Sequence, residues 1–177
     1  MKILMATMGL DIGGAETHIV ELSKELKRQG HDVAIISNGG APKDCNLFQS
    51  VKGLHNGLFA MNDGSSVVLC AECFNGFGPE GYRLGFECGS YEELWEKQAY
   101  ERYDPEMAIS LLTMRYLTHM KVYLISGLSD EEVRKAGMIP VKTPEEAWAL
   151  IRADKPELKE LMVLPCGALT CPIVEEE

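Results

Sequence analysis

Apolar positions along this chain fall into short continuous runs separated by stretches with a helical repeat. Residues 2–7 (Lys-Ile-Leu-Met-Ala-Thr) form the first run, the pattern of a strand buried on both faces. Gly13-Gly14 interrupts it. Ala15, Ile19, Leu22 and Leu26 then recur at helical spacing, with Glu21, Lys24, Glu25, Lys27 and Arg28 on the opposite face. Gly30 is a natural helix stop. Residues 33–36 are a second apolar run, ending at Ser37-Asn38-Gly39-Gly40. A right-handed strand–helix–strand crossover predicts that these two strands are parallel neighbours.

The alternation continues. A helix is expected after Pro42, capped within residues 44–46, with Leu47, Val51, Leu54 and Leu58 as its core stripe. Asn62-Asp63-Gly64 reads as a turn, and residues 66–71 as a third strand. Residues 74–89 are rich in glycine and aromatics, which predicts an irregular loop with one helical turn. Helices follow at 90–103 and 105–120, divided before Pro105. Residues 122–125 form a fourth strand. Ser129 and Glu132 form a capping box for a short helix that stops at Gly137. A short strand at 139–141 precedes a second box, Thr143 with Glu146, whose helix carries Pro144 at its first position and runs to about Ala153. Residues 161–164 are the last strand. This order predicts one α/β domain over residues 1–177. Its expected form is a Rossmann-like three-layer fold with a mostly parallel sheet of five to six strands.

Composition narrows the function. At 177 residues the chain suits one domain with a real core. No apolar run reaches the roughly 18–20 residues of a membrane span, so no membrane partner is expected. The start reads as a buried strand rather than a signal peptide, so a cytoplasmic location is expected. A formal net charge of −10 argues against binding a nucleic-acid backbone. Of the six cysteines, Cys70 and Cys73 form C-x-x-C and Cys166 and Cys171 form C-x4-C. Cys70 sits inside an apolar run, so buried or loop thiols are expected rather than a metal site.

In parallel sheets, ligands sit at the carboxyl ends of the strands, near a reversal of strand order. The loops there are 8–14, 37–42, 72–79, 126–128 and 165–170. Gly13, Gly14, Asn38, Gly39 and Gly40 are candidate ligand-binding residues, since glycine loops ahead of helices can aim N–H groups at an anion. The spacing is not G-x-G-x-x-G, which argues against a nicotinamide cofactor. Gln49 and Lys52 share one helical face off the apolar stripe and are the candidate catalytic pair. On spacing alone, such a pair is ordinary solvated surface. The four histidines do not cluster.

Two resemblances follow from particular stretches. Residues 1–40, through Gly13-Gly14-Ala15-Glu16 and Gly30-His31-Asp32-Val33, resemble the opening β-α-β of a retaining GT-B glycosyltransferase. That resemblance implies a nucleotide-sugar site. Residues 36–177 resemble the C-terminal domain of the nickel-pincer lactate racemase family. The carrying segments include Ser37-Asn38-Gly39-Gly40-Ala41-Pro42, Asn46-Leu47-Phe48-Gln49-Ser50-Val51-Lys52, Val68-Leu69-Cys70-Ala71-Glu72-Cys73 and Gly137-Met138-Ile139-Pro140. In that family the residues matching Gln49 and Lys52 face the substrate. A tryptophan it places in the site has no counterpart in residues 104–108, where Met107 stands. The family's N-terminal domain supplies the groups that hold the nickel-pincer nucleotide. The expectation is therefore that this chain alone binds no cofactor.

Together these readings predict a chimeric or truncated module without a complete active site. One alternative is the substrate-facing part of a racemase-like isomerase completed by a cofactor-bearing partner domain. The other is a nucleotide-sugar or anion-binding module. A face left by a missing domain would favour a homo-oligomer.

Overall fold

The computed structural model describes residues 31–38, 40–58, 61–158 and 161–170. The strand and helix expected before residue 31, and Gly13, Gly14 and Gly39, lie outside them.

Five strands form one parallel sheet among the described residues: β1 (His31–Ser37), β2 (Met61–Cys70), β3 (Lys121–Ile125), β4 (Ile139–Val141) and β5 (Met162–Leu164). Their spatial order is β4-β3-β2-β1-β5. The chain therefore steps outward from β1 to β4 and then returns to pair β5 on the other side of β1. Helices α1 (Leu47–Gly57), α2 (Glu80–Gly85), α3 (Tyr91–Glu96), α4 (Pro105–Leu117), α5 (Asp130–Lys135) and α6 (Pro144–Asp154) connect these strands.

Strand side chains alternate between two cores, as a pleated strand requires. Ile36, Val67, Leu69, Val122 and Leu124 face a large cluster with Leu47, Val51 and Leu54 of α1. Val68 and Tyr123 face a smaller one with Ala147 and Ile151 of α6. Helices thus cover both faces of the sheet, giving the three layers expected. The aromatics of the 74–89 stretch are its packing elements. Tyr82 lies fully buried with its ring 5.3 Å from Phe48, 5.9 Å from Phe77 and 5.1 Å from Phe86.

The structure departs from the sequence pattern in two places. β2 begins at Met61, so Asn62-Asp63-Gly64 is a kinked strand entry rather than a separate turn. Gly64 takes φ +79°, donates its N–H to His119 O at 2.7 Å and accepts from Lys155 Nζ at 2.7 Å, while the register against β1 shifts between His31 and Val33. The expected helix at 90–103 is divided: α3 widens into a π-helical segment, Lys97–Glu101. There the Gln98 side chain turns inward, accepting from Asp104 N–H at 2.9 Å. Residues 34–36 pair with Val67–Leu69 on one edge and Met162–Leu164 on the other, which takes both edges of β1. Residues 2–7, expected beside residues 33–36, lie outside the described residues.

Candidate functional site at the carboxyl edge of the sheet

The start of α1 organises this edge. Asn46 is its N-cap, accepting from Gln49 N–H at 3.0 Å through Oδ1. Leu47 N–H donates to Gly76 O at 3.1 Å, Phe48 N–H to Phe77 O at 3.0 Å and Ser50 N–H to Asn46 O at 3.0 Å. Leu47, Phe48 and Gln49 N–H have no partner in the helix's own ladder, and all three are spent on protein acceptors, whereas Ser50 N–H to Asn46 O is the first bond of that ladder. The helix start that follows Gly40 is therefore taken up by protein contacts, and Gly39 lies outside the described residues.

Asn38 has a different task. Its N–H donates to Cys70 O at 3.2 Å and its Nδ2 to Ser50 O at 2.6 Å, tying the end of β1 to both β2 and α1. Its Oδ1 is buried without a partner, pressed against Gly53. A Cβ on Gly53 would stand 2.0 Å from that oxygen and 3.1 Å from Ala168 N. Gly167 packs on the other side, where a Cβ would stand 2.3 Å from Ile36 Cγ2, and its carbonyl accepts from Asn56 Nδ2 at 3.0 Å. The strand order reverses between β1 and β5, and the 3-10 turn Gly167–Leu169 seals that crevice against α1. Loop 165–170 is thus a plug rather than a binding loop.

The open space lies to the other side of β1. A cavity of about 430 Å³ sits over the ends of β1, β2 and β3. Ser37, Asn38, Gly40, Asp44, Glu72 and Ser126 are among its lining residues. Three of the five strand-end loops expected to meet ligand therefore converge here, and Asn38 and Gly40 do line the space. Glu72, Ser126 and Asp44 were not singled out from the sequence. Their only signal was position, immediately past a buried strand or in the turn before a helix.

Gln49 and Lys52 are brought together: Lys52 Nζ donates to Gln49 Oε1. Gln49 is half-buried and Lys52 exposed. Holding Oε1 in this contact leaves the Gln49 amide to present N–H donors beside the ammonium. Neither residue lines the cavity.

The Cys70 and Cys73 thiols and the buried histidine are chemically quiet. Burial pushes Cys73 up to about 11, although its Sγ lies 3.9 Å from Ser50 Oγ, and burial raises Cys70 as well. Desolvation lowers His55 to about 4; it packs on Tyr116 and lies 3.4 Å from Thr113 Oγ1. Among the described residues, no three His, Cys, Asp or Glu side chains converge in a way that could hold a metal ion. Cys171 lies outside them. The raised Cys70 and Cys73 thiols and the inward-packed His55 do not fit a metal or a metal-bearing nucleotide.

Residues 26–170 match the family model of the lactate racemase C-terminal domain. The chain belongs to that family. The lactate racemase of Thermoanaerobacterium thermosaccharolyticum is 32% identical over 141 residues, covering 77% of this chain and 33% of that protein. The lactate racemase of Lactiplantibacillus plantarum is 27% identical over the same length, again covering 77% and 33%. This lactate racemase C-terminal-like chain thus spans about a third of the length of the curated relatives it matches. The structure of the T. thermosaccharolyticum lactate racemase apoprotein superposes with a TM-score of 0.72 at 27% identity, over 93% of this chain and 42% of that one. A Thermotoga maritima crystal structure shares the fold, with a TM-score of 0.55 at 15% identity. The family match begins at residue 26, so residues 26–40 of the glycosyltransferase-like stretch belong to the racemase family. No helix among the described residues is long and apolar enough to cross a membrane.

Proposed function

We propose that this chain is the substrate-facing C-terminal part of a lactate-racemase-like isomerase of 2-hydroxy acids, completed by a cofactor-bearing partner domain. The contact from Lys52 Nζ to Gln49 Oε1 carries the reading, because it turns two surface residues into one preorganised set of donors. An ammonium beside an oriented amide suits a 2-hydroxy acid: the cation meets the carboxylate and the amide N–H meets a carboxylate or hydroxyl oxygen. These residues bind and orient. The resemblance implies that the nickel-pincer nucleotide supplies the hydrogen-transfer chemistry from the other domain. On this reading the chain alone is expected to be inactive.

The test mixes this chain with the cofactor-loaded N-terminal portion of a lactate racemase. Racemisation of lactate is expected only in the mixture, with Lys52→Ala lowering it at least about 100-fold, the loss of one charged hydrogen bond in a closed site. Stability of Lys52→Ala should stay within about 0.5 kcal/mol, since the side chain is exposed. Racemisation that ignores both Lys52→Ala and Gln49→Ala would sink the proposal.

A further inference from the structure

Helices that connect parallel strands run back against them, so the starts of α1 and α4 lie at the carboxyl edge of the sheet, with the loops after β2 and β5. Three of these segments each raise one large apolar side chain into solvent. Phe74, after β2, is 54% exposed; Tyr103, ahead of α4, is 67% exposed; Leu169, after β5, is 50% exposed.

The three surround the Gln49–Lys52 pair. Phe74 is flanked by Cys73, whose Sγ lies 3.9 Å from Ser50 Oγ, and by Asn75, whose N–H donates to Cys45 O at 2.8 Å. These contacts set it over the first turn of α1. Leu169 follows Ala168, whose N would stand 3.1 Å from a Cβ on Gly53, one turn along α1 from Gln49. Tyr103 precedes Asp104, the N-cap of α4, and α4 is tied to α2 through Gly81 N–H, which donates to Glu106 Oε2 at 3.0 Å. The turn before α2 meets α1 in its turn, since a Cβ on Gly78 would stand 2.7 Å from Phe48 Cβ. Leu169 and Tyr103 thus border the exposed stripe of α1 that carries Gln49 and Lys52, one on each side.

The width of this ring selects its occupant. A helix with its side chains is about 10–12 Å across. A 2-hydroxy acid is smaller than that and cannot touch both borders, whereas a protein surface can. A second copy of the chain fits poorly, because an isologous contact centred on the ring would set Lys52 against its own counterpart. The occupant is then a different protein surface. The chain spans about a third of the length of its curated relatives, so most of each relative lies outside the matched span and is available to cover such a face.

We infer that Phe74, Tyr103 and Leu169 are the anchors on which the cofactor-bearing domain seats. The inference rests on the function proposed above. Apolar anchors around a polar centre exclude water, and a donor pair freed from water holds a carboxylate more strongly.

Interferometry with the immobilised, cofactor-loaded N-terminal portion of a lactate racemase tests this. The parent chain should bind. Phe74→Ser, Tyr103→Ser and Leu169→Ser should each raise Kd about tenfold or more, the loss expected at an interface anchor. Leu150→Ser, at a position 45% exposed on α6 across the sheet, should leave Kd unchanged. All four side chains are exposed, so circular dichroism should match the parent. Lys52→Ala separates the two claims, since it should lower racemisation far more than it weakens binding. Anchor variants that bind like the parent, with racemisation still lost in Lys52→Ala, would overturn the inference and leave the proposed function standing. Anchor variants that bind weakly in a mixture that never racemises would uphold the docking surface and overturn the function. A parent chain that does not bind, that self-associates through the ring instead, or that loses as much affinity through Leu150→Ser overturns the inference.

Discussion

Gly53 offers the sharpest quantitative test of how α1 is seated. Replacing it with alanine places a methyl group 2.0 Å from Asn38 Oδ1 and 3.1 Å from Ala168 N. Neither is free to yield cheaply. Asn38 is held by its Nδ2 bond to Ser50 O, and Ala168 lies in the turn that seals β1 against β5. Forcing extra volume into a packed contact costs about 1–3 kcal/mol. Displacing Asn38 forfeits a hydrogen bond worth about 1 kcal/mol. Against this, alanine in a helix interior returns about 1 kcal/mol over glycine. The net expectation is a loss of about 2 kcal/mol, or about 4–8 °C in Tm for a domain of this size. Urea unfolding followed by far-UV circular dichroism measures it. The double variant Asn38→Ala/Gly53→Ala should be less damaged than the two single losses added, because removing the amide removes the clash. A Gly53→Ala chain as stable as the parent, or strict additivity in the double variant, would refute the reasoning.

Three further outcomes follow from the same geometry. Asn46→Ala should destabilise by about 1 kcal/mol in urea unfolding, since it removes the cap bond to Gln49 N–H at 3.0 Å. His55 titrates near 4 when folded, because burial disfavours its cation, against an ordinary value of 6.5. The unfolded chain therefore takes up its proton first as pH falls, so this contribution to stability is full above about 6.5 and is lost between about 6.5 and 4, by about 3 kcal/mol in all. His55→Gln should flatten that part of the curve; an unchanged slope from pH 7 to 4 would count against it. Cys73, held near 11 by burial, should resist alkylation at pH 8 in the folded chain and react on unfolding, as peptide mass spectrometry would show. Labelling of Cys73 at the same rate in both states would contradict its burial.

Local signals carried much of this structure. The stripe Leu47, Val51, Leu54 and Leu58 is buried as its spacing demands, the Ser129–Glu132 capping box closes in full, and Thr143 caps its helix through Glu146 N–H while the Glu146 carboxylate takes Lys142 N–H instead. These features depend on residues three or four apart, so one segment contains all the information. The Gln49–Lys52 contact was legible for the same reason, one helical turn separating the two. The aromatic-rich stretch 74–89 was less so. Its rings read as a functional loop, yet Phe77, Tyr82 and Phe86 are core packing, because large apolar rings stabilise most when buried against one another.

Sequence alone therefore determined the α/β class, the helices α1, α5 and α6 with their caps, the start of α4 at Pro105, and the candidate pair on α1. Tertiary structure decided what lies at the carboxyl edge. Only the pairing of β1 with both β2 and β5 showed that its two edges are filled, and only the docking of residues 76–77 onto α1 showed that its N–H groups are spent. Strand adjacency and satisfied donors join segments far apart in the chain, with no periodicity to announce them. Glu72 is the clearest case. In sequence it is one exposed carboxylate after an apolar run; the parallel sheet sets it beside Ser37 and Ser126 and makes it part of a cavity.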